Sequence, residues 1–164
     1  MLASLPVPVA RRPGFHPGYG IKADEEGMLA WDWAEERLVA ARNYWIVTTR
    51  ADGRPHAAPV WGVWLRESLL FGTNPDSVKG KNISRDPRVV AHLESGDEVV
   101  IVEGRVAQTD DGDLLREVER VYSDKYAFDA TFSGAFELRP EFALAWTESD
   151  YPRTATRFDF TKRS

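Results

Sequence analysis

The chain has no cysteine in 164 residues, which excludes disulfides, thiolate metal centres and cysteine nucleophiles together. It has only three histidines, His16, His56 and His92, too few and too scattered for a multi-histidine metal site. No apolar run approaches the roughly 20 residues a helix needs to cross a bilayer. The start of the chain, Met1 to Arg12, is apolar in part. Pro6 and Pro8 interrupt it, and Arg11 and Arg12 follow the apolar residues rather than precede them, so it does not read as a signal peptide and a cytoplasmic protein is expected. Nor is there an excess of basic charge: 21 Lys and Arg stand against 26 Asp and Glu, interspersed, for a net charge of -5, which argues against a nucleic-acid or anionic-membrane surface. No Gly-x-Ser-x-Gly elbow occurs, leaving a hydrolase triad without support. Any redox chemistry therefore needs a borrowed cofactor.

What is present is an ordinary globular composition, 43% hydrophobic and 29% charged, with six tryptophans that imply an aromatic core. The length and the lack of an internal repeat imply one folded domain. Residues 1–27, rich in Pro and Gly and carrying Phe15, Tyr19 and Ile21, read as an irregular arm that docks by its aromatics; residues 28–164 read as the domain. Within it, Ala30, Ala34, Leu38 and Ala41 recur at helical spacing over 29–42. The period then changes. Tyr44 to Thr49 reads as a strand, residues 51–54 as a turn containing Gly53, and Pro55 to Leu65 as a second, long strand. A third strand spans 68–73, a short helix ends near Asp86 and Pro87, a fourth strand covers 88–93, and a fifth covers 99–106 with Gly104 marking a bulge or a close backbone approach. A second helix is expected over 111–126, its start capped by Asp110, Asp111 and Asp113; capping explains these acids better than a calcium loop. Residues 127–140, with Phe128, Phe132 and Phe136, read as irregular, and 142–147 and 155–160 as closing strands. The sum is a mainly β protein, an antiparallel sheet curling toward a barrel with flanking helices.

The clearest chemical feature lies between Phe71 and Pro87, where a strand ends in a turn that opens a helix. Lys79 and Lys81 supply cations, Thr73, Ser77 and Asn82 neutral donors, and Gly80 lets the backbone come close: the materials of a phosphate cradle. A solvated Lys-Gly-Lys turn is the plainer alternative. In the second strand, Pro59 cannot donate to a ladder and belongs where the sheet opens and a flat ligand can lie. Trp61 and Trp64 read as core or dimer-interface residues, Trp64 more readily than Trp61; His56 reads as a polar residue on a strand face ahead of a ligand contact, and Arg157 as a partner of an acid ahead of one that reaches the partner's ligand.

The succession Trp45-Ile46-Val47-Thr48-Thr49, Gly53-Arg54-Pro55-His56-Ala57-Ala58-Pro59-Val60-Trp61-Gly62, Leu70-Phe71-Gly72-Thr73, Lys79-x-Lys81-Asn82-Ile83-x-x-Asp86-Pro87-Arg88-Val89 and Val102-Glu103-Gly104 resembles the split β-barrel flavin and deazaflavin oxidoreductases. The likeness is to the pyridoxamine 5′-phosphate oxidase-like superfamily and within it to the branch that binds coenzyme F420. It implies an FMN-binding split-barrel type of fold, an obligate homodimer with the cofactor between subunits, and a small-molecule substrate. Carried over residue by residue, it assigns Lys79, Lys81, Asn82 and Ser77 to the phosphate, and Pro59, Val60, Trp61 and Thr73 to the ring system. It implies an F420-dependent reductase, with an FMN flavoprotein, or a non-catalytic carrier of F420, a tetrapyrrole or a fatty acid, as alternatives. No metal is implied, and no acid-base residue stands out, Tyr126 being the one tyrosine considered as proton donor. The chain departs from pyridoxamine phosphate oxidases proper: the strand around Pro59 to Trp64 lacks their Arg and Lys, and the C-terminus lacks their Arg-Leu-x-Pro, which argues against vitamin B6 oxidation. Some deazaflavin relatives have an Arg where this chain has Ser77.

Overall fold

A computed structural model describes residues 6–160, so the first five residues of the expected arm and the last four of the expected domain lie outside it. The elements, in order, are β1 (Val9–Arg11), α1 (Trp31–Ala40), β2 (Tyr44–Thr49), β3 (Pro55–Val60), β4 (Gly62–Leu65), β5 (Ser68–Phe71), α2 (Val78–Arg85), β6 (Arg88–His92), β7 (Glu98–Thr109), α3 (Gly112–Tyr126), β8 (Ala135–Thr147), α4 (Tyr151–Thr154) and β9 (Thr156–Asp159). All strand pairings are antiparallel.

The sheet runs β1-β9-β8-β7-β6-β2-β3, and the first part of β8 also pairs with β5, which pairs with β4. Strand β8 is long enough to hold two neighbours on one edge in succession, β5 along 136–138 and β9 along 142–145. Among the described residues no pairing joins β3 to β4, so the sheet stays open where the sequence suggested a barrel. The long strand expected over 55–65 is two strands broken at Trp61, because β3 lies on β2 while β4 turns away to pair with β5. Strand β3 is an edge strand carrying Pro55 and Pro59, a position that proline tolerates because its missing N–H can face away from the ladder. The irregular stretch expected over 127–140 ends early: Ala135 to Pro140 already belong to β8, with Phe136 in the core opposite Phe71.

Alternation builds the core. Tyr44, Ile46 and Thr48 of β2 point inward, and Leu69, Phe71, Val100, Val102, Leu138 and Phe158 meet them under α1, which contributes Trp31, Ala34 and Leu38. A smaller cluster of Val63, Leu70, Leu114 and Val118 fixes α3 against β4 and β5. Gly104 sits at the bulge in β7, where an added Cβ would lie 2.1 Å from the Arg139 carbonyl oxygen, a distance no side chain tolerates. The arm expected to be irregular contains β1, paired with β9, and docks on its own chain: Phe15 stacks on Tyr151, and Arg12 donates to the carbonyls of Asp24, Glu26, Arg153 and Ala155. Arg157 pairs with Asp159 at 2.7 Å.

Candidate functional site

The turn after β5 is built by side chains that replace missing backbone partners. Asn74 Oδ1 accepts from the Asp76 N–H at 2.8 Å, and Ser77 caps α2 by accepting from the Gly80 N–H at 3.0 Å, with its hydroxyl 3.3 Å from Thr73 Oγ1. The turn folds so tightly over the helix that a Cβ on Gly80 would come 2.5 Å from the Pro75 carbonyl oxygen and 2.6 Å from that of Asn74. On its inner side α2 is tied to β2: the buried Asn82 amide donates to Thr48 Oγ1 at 3.0 Å, Ile83 enters the core, and Arg85 donates to the Thr49 carbonyl.

Residues two apart on an α-helix point about 200° away from each other, and the two lysines face different surroundings. Lys79 is half-buried, its pKa lowered by that burial, and it lies within electrostatic reach of His56 on β3. Lys81 is exposed and opens into a cleft of about 650 Å³ lined also by Ser84, Arg85, Gln108 and Phe136. An adjoining cleft of about 450 Å³ reaches Thr73, Thr109 and Asp110. Of the residues expected at a phosphate, then, Thr73, Ser77 and Lys79 share the turn and first turn of helix, Lys81 faces the cleft, and Asn82 is turned inward with its amide N–H engaged.

On the Lys79 side a second cation appears that sequence reasoning missed. Arg50, just beyond β2, acts with Lys79 on His56, whose pKa is lowered first by burial and then by these two charges. Among the described residues none of the three forms an ion pair with a carboxylate, although Arg50 acts electrostatically on Asp52, the partner of Arg54. His56 Nδ1 is buried without any hydrogen-bond partner.

The expected ring-flanking residues split as well. Val60 is in the core, Pro59 is exposed opposite Trp45, and Trp61 is 38% exposed at the break between β3 and β4. Trp61 lies flat on Tyr126, centroids 4.5 Å apart and planes within 7°, with Tyr122 inclined beside it and the Arg42 guanidinium 5.2 Å from its ring centre. The break is held by a polar knot. Tyr126 Oη accepts from the Gly62 N–H at 3.0 Å and donates to the Arg42 carbonyl at 2.7 Å, while Lys125 donates to the Gly62 carbonyl at 3.0 Å and to Tyr44 Oη at 2.8 Å. Burial raises the pKa of Tyr44 and Tyr126 and lowers that of Lys125 to about 8. The sequence places Lys125 only at a helix end; nothing in its spacing shows that it turns inward.

His16 lies in the arm, His56 on β3 and His92 on β6, and no group of three or more His, Asp or Glu among the described residues is placed to hold a metal ion. No helix among these residues is long and apolar enough to cross a membrane.

An open antiparallel sheet with a helix inserted after β5 and a cationic turn beside it defines a protein of the pyridoxamine 5′-phosphate oxidase-like fold. Residues 31–151 match the pyridoxamine 5′-phosphate oxidase family, and the chain belongs to it. Among solved structures it is similar to a conserved hypothetical protein, Rv2991, from Mycobacterium tuberculosis (22% identity, TM-score 0.64, 77% of this chain and 89% of that one). It is also similar to a heme binding protein from Mycobacterium smegmatis (19%, 0.57, 70% and 53%) and to an F420 reductase (24%, 0.51, 64% and 91%). At these identities the likeness establishes the fold. No curated protein matches the chain.

Proposed function

We propose that the protein is an oxidoreductase of the flavin and deazaflavin type, an F420-dependent reductase that acts on a small electron-poor molecule in the cytoplasm. In this reading the open sheet is one half-closed split barrel, β3 and β4 forming the split at Trp61, and two chains form a homodimer with the cofactor between them. The observation that carries it is the group of unpaired cations around the β5–α2 turn, Lys79 and Arg50 with His56, on a chain whose net charge is negative. Lys79, on which no acid among the described residues acts, and Arg50, which forms no ion pair, fit an anionic group such as a cofactor phosphate, and the buried, unpartnered His56 Nδ1 marks a polar site that the fold alone leaves unsatisfied.

When bound, such a cofactor supplies the hydride chemistry. The chain's own part is to bind and position. Thr73 and Ser77 offer hydroxyls beside the turn, Lys79 offers charge, and Lys81 offers charge at the mouth of the neighbouring cleft. Trp61, held flat on Tyr126, is the one large aromatic at the strand break that offers its surface to solvent and to a planar ring. Titration of the purified protein with F420 and with FMN in parallel, followed by an acceptor screen with whichever binds, tests the reading; failure of both to bind refutes it. The FMN reading is favoured instead if the protein purifies yellow and releases FMN on denaturation. A carrier without turnover is the second reading, supported by the likeness to a heme binding protein, and is distinguished by binding with no acceptor reduced.

A further inference from the structure

We infer that the anion grip of this protein is formed across the β2–β3 hairpin and α2 by Arg50, His56 and Lys79, with His56 a direct ligand of the bound phosphate and Lys81 outside the grip. The inference rests on the cofactor reading above and goes beyond it by replacing the lysine pair with a different set of residues, one of them a histidine.

Four observations lead to it. First, alternation along β3 puts His56, Ala58 and Val60 on one face of the strand and leaves Pro55, Ala57 and Pro59 exposed on the other, so His56 is on the inward-facing row. Second, of the two lysines only Lys79 bears electrostatically on that row, and Arg50 bears on the same imidazole from beyond the end of β2. Third, His56 pairs across the hairpin with Thr48, and Thr48 holds Asn82 of α2, so strand and helix are fixed to each other through a buried hydrogen bond rather than through a flexible side chain. Fourth, among the described residues His56 makes no hydrogen bond at either ring nitrogen: Nδ1 is buried and unpartnered, and Nε2, which is not sealed, is the atom left to meet a ligand. Arg50 also acts on Asp52, which is itself ion-paired with Arg54, whereas no acid among the described residues acts on His56 or Lys79; the three basic groups repel one another. Such an arrangement costs stability unless a negative group fills it, which is the mark of a site kept for binding rather than for folding.

The charged groups that act on His56 are Arg50 from the hairpin and Lys79 from α2; Thr48, its neighbour on β2, is neutral. Both cations disfavour the imidazolium in the free protein, and a bound phosphate reverses the balance. Binding therefore takes up a proton at His56; its contribution to affinity is full below the pKa of the free protein, falls as pH rises between the free and the bound pKa, and is lost above the bound-state value.

The test uses the full chain with inorganic phosphate, FMN and F420 as probes. His56 ring signals in 1H-15N NMR are followed through pH with and without saturating phosphate, and Kd values for FMN and F420 are measured for the wild type, His56→Gln, His56→Ala, Lys79→Ala and Lys81→Ala. The expected results are an upward shift of the His56 midpoint with phosphate, a loss of about tenfold in affinity for His56→Ala and Lys79→Ala, and a change of less than about twofold for Lys81→Ala. The ratio of wild-type to His56→Gln affinity, in which the ligand's own ionisation cancels, should grow from pH 8 to pH 6. Thermal melts of the His56→Gln variant keep a folding defect distinguishable from a binding one. An unmoved His56 midpoint together with full affinity in a folded His56→Gln variant overturns the inference while leaving the cofactor reading intact if FMN or F420 still binds. If neither cofactor binds but phosphate still shifts His56, the grip stands and the oxidoreductase reading falls.

Discussion

Replacing Gly80 by alanine sets two effects of known size against each other at the turn beside the candidate site. Alanine is the better helix former by about 0.5–1 kcal/mol, and position 80 lies within α2, so propensity alone predicts stabilisation. Space predicts the opposite. The new methyl carbon would meet the Pro75 carbonyl oxygen at 2.5 Å, the Asn74 carbonyl oxygen at 2.6 Å and the Pro75 carbonyl carbon at 2.7 Å. All three are backbone atoms, one residue is a proline with a fixed φ, and Asn74 Oδ1 and Ser77 Oγ hold the turn to the helix. No rotamer change relieves the overlap, so the turn must lift from α2. Overpacking of this kind costs about 1–3 kcal/mol, and with part of the cap disturbed we place the clash near the upper end. The net expectation is a loss of about 2 kcal/mol, a fall in Tm of roughly 4–8 °C for a domain of this size. Urea unfolding followed by tryptophan fluorescence measures the first and a thermal melt the second. Because the lifted turn carries Thr73 and Ser77, phosphate or FMN affinity should fall with it. A Gly80→Ala protein as stable as the wild type, or more so, refutes the claim that the turn's close approach, rather than its flexibility, requires glycine.

Asn82→Ala leaves Thr48 Oγ1 buried without its donor and should cost about 1–3 kcal/mol in urea unfolding, whereas adding Thr48→Val should recover part of that loss. Lys125 has its pKa lowered to about 8 from an ordinary 10.5, so the unfolded chain holds more protons between these values and this residue's contribution to stability rises with pH there. The stability difference between wild type and Lys125→Met, followed from pH 7.5 to 10 by urea unfolding, should move in favour of the wild type; a flat difference shows that the amine is not desolvated. Trp61→Ala removes an exposed ring and not a core one, so the Tm should shift by no more than a few degrees while affinity for FMN or F420 falls at least tenfold by titration.

Strands with a clear alternation or bounded by turn chemistry were legible in the sequence: Tyr44 to Thr49 ends where Gly53 and Asp52 make the turn, and Asp111 caps α3 as its position predicts. Gly104 marked a bulge or a close backbone approach, and the structure has both: the bulge in β7 and the close approach of the Arg139 carbonyl. The division of residues 55–65 was not legible, because the run is uniformly strand-like and the break depends on β5 drawing Gly62 to Leu65 away from β2, a contact between distant segments. The same holds for β8, whose first six residues follow an irregular stretch and become a strand by lying between β7 and β5. At the candidate site, the turn after β5 and Ser77 at the helix start lie where the sequence placed them. The sequence did not show which surroundings Lys79 and Lys81 each meet, that Asn82 is engaged by Thr48, or that Arg50 and Lys79 both act on His56, since all of these follow from how α2 sits on the β2–β3 hairpin.

The two prolines of β3 bear on how this molecule behaves in company. A sheet that is not sealed leaves a row of amides at its border, and such rows recruit other chains into fibrils or swapped dimers. Here Pro55 and Pro59, four residues apart, delete two donors from that border. A neighbouring molecule approaching from that flank finds too few amides to zip against, so contact there must be made by side chains. The opening beside the cationic hairpin can thus stay accessible to small solutes without becoming a seed for aggregation.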